Sequence, residues 1–140
     1  MKEILFRGQK PDNKEWVYGS LLESDDGKKV IVVKNKNFIS KQDNRGWYIN
    51  APCYEVIPET VGQFINEEDT KKHKLFEGDI VEAFRNAWPF KPGYRDVVTL
   101  ENRMYWLKNE GFGYEGEDLQ DPANYIIIGN IYDNPELIKT

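Results

Sequence analysis

The chain has 140 residues with one cysteine and one histidine, and its 24 acidic side chains outnumber 19 lysines and arginines for a net charge of −5. A single cysteine excludes an internal disulfide and any zinc site built from several cysteines. The acidic balance argues against a general nucleic-acid binder, which needs a basic surplus. There is no long apolar run, so we expect no membrane insertion and a cytoplasmic location.

The N-terminal quarter of the chain reads as short strands joined by turns. Residues 4–6 and 16–22 are apolar and flank a polar Pro-Asp-Asn connection, which predicts a β-hairpin. Residues 24–28 carry an Asp-Gly pair, which tolerates the positive φ angles of a tight hairpin turn. Residues 30–33 are continuously apolar, so we expect a third strand that is buried on both faces.

The middle of the chain continues this pattern. Residues 54–57 are predicted to be extended. Residues 66–74 are so polar and charged that we interpret them as the exposed loop of a hairpin. Gly78 and Asp79 then form a turn that leads directly into a strand over residues 80–84.

The C-terminal part adds a hairpin over residues 96–100 and 104–107 and a buried strand over residues 125–128. Short apolar runs with turn chemistry between them predict an all-β fold, a small barrel or sandwich of short antiparallel strands. We treat residues 1–140 as a single domain. The alternative is a subdivision near residues 53–65 into two packed subdomains, with an SH3-like barrel in the C-terminal half.

Five short motifs occur in the order found in one known family and extend over nearly the whole chain. They are FRG (6–8), WVYG (16–19), VIPETVGQF (56–64), FEGDIV (76–81) and IGNIYDNPEL (128–137). With these motifs the chain resembles the YopX family, whose members are encoded in bacteriophages and prophages. The resemblance implies a β-rich fold and an origin inside a bacterial host cell. It supplies no catalytic residue and no cofactor, because the biochemical role of the family is not established.

No combination of residue types in the sequence predicts catalysis, a cofactor or a metal site. His73 lies in a lysine-flanked stretch, which is typical of a solvated loop side chain. Cys53 has no lysine or arginine beside it, so we expect a buried structural thiol and not a nucleophile. Asp79 follows Gly78 at a strand start and is expected to accept hydrogen bonds from turn amides. We therefore expect a protein that is not an enzyme.

The stretch best suited to binding a protein is residues 86–94, which contains Trp88, Phe90 and Tyr94 together with two prolines. Aromatic side chains on a stiff loop lose little entropy on docking and offer large contact areas. We predict these three side chains as protein-binding residues. The alternative is that they cover an open end of the barrel.

A second hypothesis is nucleic-acid binding by a small β-barrel. Residues 28–45 carry six basic side chains and one acid. The candidate contacts are Lys34, Lys36, Lys41, Arg45, Trp47 and Tyr48. Two of these are aromatic and would stack on bases.

Charge distribution also predicts self-association. The basic strip at residues 28–45 contrasts with residues 110–121, which hold five acids and no base. Opposite charges on different surfaces steer head-to-tail contacts and set their register. We therefore expect a homo-oligomer, with a host or phage protein as the alternative partner.

Overall fold

The structure is a computed structural model, and it describes residues 2–33, 39–83, 93, 95–101, 104–108, 117–118 and 125–138. Its strands are β1 (Phe6–Gln9), β2 (Trp16–Glu23), β3 (Lys29–Val33), β4 (Ile39–Asp43), β5 (Gly46–Asn50), β6 (Cys53–Val56), β7 (Gly62–Glu68), β8 (Lys74–Phe76), β9 (Asp79–Ala83), β10 (Arg95–Glu101), β11 (Met104–Lys108), β12 (Glu117–Asp118) and β13 (Tyr125–Asn130). Helical structure in these residues is limited to short 3₁₀ turns such as Pro58–Thr60, and none of it could span a membrane. The predicted all-β fold of short antiparallel strands is confirmed.

The chain forms two compact units. The N-terminal unit is Ile4–Val61, and the C-terminal unit is Gly62–Thr140 together with Met1–Glu3. In the N-terminal unit four strands form an antiparallel sheet in the order β6-β3-β2-β1. The predicted Asp-Gly turn joins β2 to β3, where the Ser24 N–H donates to the Lys28 carbonyl at 2.9 Å.

This four-stranded sheet is rolled, and one backbone hydrogen bond connects the residue after β6 to the end of β1, although β6 and β1 do not pair as strands. Ile57, directly after β6, donates its N–H to the carbonyl of Gln9 at the end of β1, at 2.8 Å. The Gln9 N–H donates in turn to the hydroxyl of Thr60 at 3.0 Å. The inner face of the rolled sheet holds the core of this unit, with Ile31 and Val56 buried.

The other face of the same sheet is open to solvent. Ile31 is the buried residue of β3, whereas its neighbours in the strand are half-buried. Leu22, which pairs with Val30, is 58% exposed. The prediction that β3 is buried on both faces is therefore wrong, because a continuous apolar run does not show whether both faces are covered.

The C-terminal unit contains a five-stranded sheet in the order β12-β11-β10-β9-β13 and the antiparallel pair β7–β8. Its core is formed by residues of the five-stranded sheet and of the β7–β8 pair. These residues are Ile65, Leu75, Val81, Ala83, Val98 and Tyr125, with Ile127 packed against them. The pair β7–β8 therefore packs on strands β9, β10 and β13.

The five-stranded sheet is open, with β12 and β13 at its edges. A barrel would need its edge strands to pair with each other. The outer side of β13 is instead occupied by the loop between β7 and β8, where the Thr70 N–H donates to the Tyr125 carbonyl at 3.0 Å. The described strands thus form open sheets and no closed barrel, which corrects the expectation of an SH3-like barrel in the C-terminal half.

The turn between β8 and β9 has the predicted chemistry. Gly78 adopts a φ of +92°, and the Asp79 carboxylate accepts the Phe76 N–H at 2.8 Å. The Gly78 N–H donates to the Val98 carbonyl, and its carbonyl accepts the Ile131 N–H, both at 2.9 Å. The turn therefore ties β8 to strand β10 and to the residue after β13.

Replacing Gly78 by valine is expected to lower the free energy of unfolding by about 2 kcal/mol or more. A β-branched residue is strained at this positive φ, and a Cβ at this position would lie 3.0 Å from Cε2 of Tyr132. Asp79→Asn is expected to be milder, because asparagine keeps an oxygen that accepts the Phe76 N–H. Urea unfolding of both variants measures the difference, and a fully stable Gly78→Val protein would contradict it.

Candidate functional site

Strand β6 is an edge of the N-terminal sheet, with β3 as its partner. The Val33 N–H donates to the Pro52 carbonyl at 2.9 Å, so Pro52 and Tyr54 occupy the hydrogen-bonded positions facing β3. In an antiparallel ladder the residues between such positions direct their N–H and C=O groups away from the partner strand. The outward-facing residues of β6 are therefore Cys53 and Glu55.

The next residue in this alternation, Ile57, already donates its N–H to Gln9. This contact limits the open edge to the backbone groups of Cys53 and Glu55. Both residues are exposed, as is Tyr54 between them. In the part of the chain that the structure describes, no strand lies against this side of β6. We call Cys53–Val56 the β6 edge.

The side chains along the β6 edge are mixed in character. Tyr54 is 39% exposed, and the Lys10 ammonium lies 4.2 Å from the centre of its ring. The Glu55 carboxylate lies 3.5 Å from the Lys28 ammonium. This ion pair is exposed and contributes about 1 kcal/mol or less to stability. The Lys28 ammonium nevertheless balances the charge of the Glu55 carboxylate.

A groove of about 410 Å³ opens at the C-terminal end of the β6 edge. Its lining includes Pro11, Lys28, Glu55, Val56, Ile57 and Pro58. One wall is the β2–β3 turn, where the Ser24 hydroxyl donates to the Asp26 carboxylate. This bond and the N–H of Lys28 lower the pKa of Asp26, so its carboxylate stays ionised further into the acidic range than that of an ordinary aspartate.

The edge of β13 contrasts with the β6 edge, because a buried carboxylate covers it. Asp69 is 2% exposed, and its Oδ2 accepts the Ile127 N–H of β13 at 3.1 Å. Its Oδ1 accepts the N–H groups of Lys71 and His73, both at 2.9 Å. Asp69 thus satisfies an edge N–H of β13 and shapes the loop that lies beside this strand.

The prediction of an exposed loop over residues 66–74 needs correction at Asp69. His73 is exposed as predicted, with 66% of its side chain accessible, and its Nδ1 lies 3.6 Å from Asp69 Oδ2. An aspartate directly after a strand is a known signal for hydrogen bonds to the amides that follow it. That signal predicts the contacts of Asp69 within its loop and gives no indication of the contact with Ile127.

Cys53 is exposed, and the prediction of a buried thiol is wrong. Cys53 pairs with Val32 in the ladder, one position away from the pair formed by Ile31 and Tyr54. Because side chains alternate between the faces of a sheet, Cys53 lies on the face opposite the buried Ile31. The predicted role of Asp79 as an acceptor of a turn amide is confirmed by its bond with Phe76.

The predicted protein-binding residues Trp88, Phe90 and Tyr94 lie outside the described residues. Lys34 and Lys36 of the nucleic-acid hypothesis also lie outside them.

The four remaining nucleic-acid candidates lie on one hairpin, β4–β5. Lys41 pairs with Tyr48, and Trp47 is the next residue in the register, opposite Gln42. Arg45 lies in the connecting turn, where its N–H donates to the carboxylate of Asp43 at 2.8 Å.

Among the residues that the structure describes, no group of three or more His, Cys, Asp and Glu side chains is arranged to hold a metal ion. The one close histidine–aspartate pair, His73 with Asp69, has a carboxylate whose two oxygens already accept backbone N–H groups. This arrangement suits the stabilisation of a loop.

The fold defines a class of protein: a small all-β chain whose described strands form open antiparallel sheets, with β6 at one of their edges. The chain belongs to the YopX family, since the family model described as YopX protein matches residues 5–139. The crystal structure of protein EF1440 from Enterococcus faecalis is similar, with a TM-score of 0.65 over 99% of this chain and 100% of that chain. At 19% identity this likeness shows the fold alone. No curated protein matches the chain.

Proposed function

We propose that this protein is a non-enzymatic protein-interaction module of phage or prophage origin, which acts in the cytoplasm of a bacterial host and associates with itself. The observation that supports it best is the β6 edge, where the outward N–H and C=O groups of Cys53 and Glu55 are exposed. Exposed strand edges readily add another strand, and proteins that avoid such contacts protect these edges.

Two of the sheet edges that the structure describes, those of β13 and β6, support this function by their difference. Asp69 and Thr70 cover the edge of β13 through hydrogen bonds to Ile127 and Tyr125. The β6 edge has no such cover among the described residues. An edge that is left open in a chain that covers another of its edges is a candidate binding surface, because main-chain hydrogen bonds supply affinity while neighbouring side chains supply selectivity.

The mass of the protein in solution tests this function. We expect light scattering after size exclusion to give a mass above 16.4 kDa that increases with concentration between micromolar and millimolar. A strictly monomeric protein over this range at low salt would contradict the self-association. If attraction between the basic residues of 28–45 and the acidic residues of 110–121 contributes to self-association, added salt weakens the assembly, because exposed charges are screened.

The second candidate function is nucleic-acid binding through the β4–β5 hairpin. It is favoured by the register that sets Lys41 opposite Tyr48 and leaves Arg45 in the adjoining turn. A mobility-shift assay with single-stranded DNA at 50 and 200 mM salt decides between the two functions. Binding that falls steeply with salt and is lost in Lys41→Glu would support this second function, and the absence of a shift at low salt would exclude it.

A further inference from the structure

We propose that the β6 edge is completed by the β6 strand of a second copy of the chain, paired antiparallel about a two-fold axis at Tyr54. This inference rests on the self-association proposed above and specifies its geometry. The result is one continuous sheet that runs from β3 through the two β6 strands to β3 of the second copy.

The hydrogen-bonding groups of the β6 edge are self-complementary about Tyr54. Cys53 and Glu55 lie one position before and one position after it, and each directs one N–H and one C=O outward. In antiparallel pairing about Tyr54, Cys53 of one copy exchanges two hydrogen bonds with Glu55 of the other. The two-fold axis repeats this exchange, so all outward groups of both edges are satisfied by four hydrogen bonds.

Other registers satisfy fewer of these groups. Pairing about Glu55 places two carboxylates opposite each other, which is destabilising, and it needs the N–H of Ile57, which is already bonded to Gln9. Pairing about Cys53 needs Ala51 as the partner of Glu55, and Ala51 precedes the strand. Pairing about Tyr54 is the register in which the strand residues alone complete the ladder.

Charge also favours this register. It places Glu55 opposite the neutral Cys53 of the other copy, and the two Glu55 residues are offset along the strands. Each Glu55 carboxylate keeps the Lys28 ammonium of its own chain at 3.5 Å. The two Tyr54 residues form the non-hydrogen-bonded pair at the axis, where side chains approach most closely and aromatic pairs stabilise a ladder.

The contact is short, and this sets the expected affinity. A strand of four residues forms a small interface in comparison with the roughly 1,600 Å² buried in a standard stable complex. We therefore expect a dimer that dissociates in the micromolar range or above, with a mass that depends on concentration.

Disulfide trapping on the full chain tests the register. In the proposed pairing the Cα atoms of the two residues at position 54 are about 4.5 Å apart, which lies within the range for a disulfide. Tyr54→Cys in a Cys53→Ser background is therefore expected to form a covalent dimer on mild oxidation. In the unmodified chain, Cys53 of one copy faces Glu55 of the other, so the Cα atoms of the two Cys53 residues are about 8 Å apart. The unmodified chain is therefore expected to remain uncrosslinked.

A matched pair of variants at position 55 tests the edge itself. Glu55→Pro removes an outward N–H without removing a bond to β3, and it deletes two of the four intermolecular hydrogen bonds. We expect it to weaken the dimer at least about tenfold. Glu55→Ala loses the same carboxylate and keeps the N–H, so its dimer is expected to stay within about threefold of the unmodified protein. Circular dichroism verifies that both variants are folded.

The outcomes separate this inference from the proposed function. If the chain dimerises but Tyr54→Cys does not crosslink and Glu55→Pro dimerises normally, the β6 pairing is overturned and self-association stands. If oxidation crosslinks the unmodified chain through Cys53 and not the Tyr54→Cys variant, the Tyr54 register is overturned. A chain that is monomeric in every assay overturns both proposals. If Glu55→Pro fails to fold, the trapping experiment decides.

Discussion

Replacing Asp69 by alanine is expected to lower the free energy of unfolding by about 3 kcal/mol or more. Asp69 is buried, and its two oxygens accept the N–H groups of Lys71, His73 and Ile127. Alanine leaves these donors without their acceptor, and the edge of β13 separates from the loop beside it. Chemical denaturation monitored by tryptophan fluorescence measures the loss.

Thr70→Ala is the matched control, because Thr70 contacts Tyr125 through its backbone N–H and alanine keeps that bond. We expect this control to change stability by less than about 0.5 kcal/mol. Asp69→Asn is expected to be intermediate, since one carboxylate oxygen becomes an amide that donates and does not accept. Equal stability of Asp69→Ala and Thr70→Ala would show that the carboxylate does not hold this loop.

The pKa of Asp69 gives the same prediction a pH dependence. Burial raises this pKa. The N–H groups of Ile127, His73 and Lys71 and the charge of His73 lower it by a larger amount, so the pKa of Asp69 is below the usual value of an aspartate. The stability that Asp69 supplies is therefore complete above the pKa of an unfolded aspartate, about 3.9, and is lost as the pH falls through the lower folded value. On acidification the unmodified chain should lose more stability than Asp69→Ala.

Replacing Gly19 by alanine is expected to destabilise the N-terminal unit by about 3 kcal/mol or more. A Cβ at position 19 would lie 2.0 Å from the carbonyl oxygen of Val32 and 2.7 Å from its carbonyl carbon. Both atoms belong to the backbone of β3, the strand next to β2, so no side-chain rotation relieves the clash. The two strands would have to separate at the end of their ladder where Gly19 pairs with Val33.

Ser20→Ala tests whether the effect is specific to this close approach. Ser20 is the next residue of β2 and is exposed, so its substitution is expected to change stability by less than about 0.5 kcal/mol. Thermal unfolding of the two variants provides the comparison. If Gly19→Ala unfolds at the temperature of Ser20→Ala, β2 and β3 do not approach each other as closely as the structure has them.

Edge protection links these stability predictions to the proposed function. The chain uses a buried carboxylate to cover one sheet edge, a costly arrangement that is stable only when its hydrogen bonds are complete. The β6 edge is exposed and carries one charged residue, Glu55, whose charge Lys28 balances. Disrupting Asp69 is therefore expected to expose the edge of β13 and to promote non-specific aggregation, whereas Glu55→Pro is expected to reduce association.

The sequence by itself determined the all-β class, the turn at residues 24–28, the turn at Gly78 and Asp79, and the exposure of His73. These features depend on neighbouring residues, because strand alternation and turn preferences act over a few positions. The motifs that resemble the YopX family are also local, and they lie on strands and turns of the structure.

Only the tertiary structure decided which strand edges are open and which side chains are buried. Asp69 is buried because it meets Ile127, 58 positions away. Cys53 is exposed because its pairing with Val32 places it on the face of the sheet opposite the buried Ile31. The β6 edge could not be predicted for the same reason: whether a strand has one neighbour or two depends on contacts between distant segments, and a local pattern of residues does not contain them.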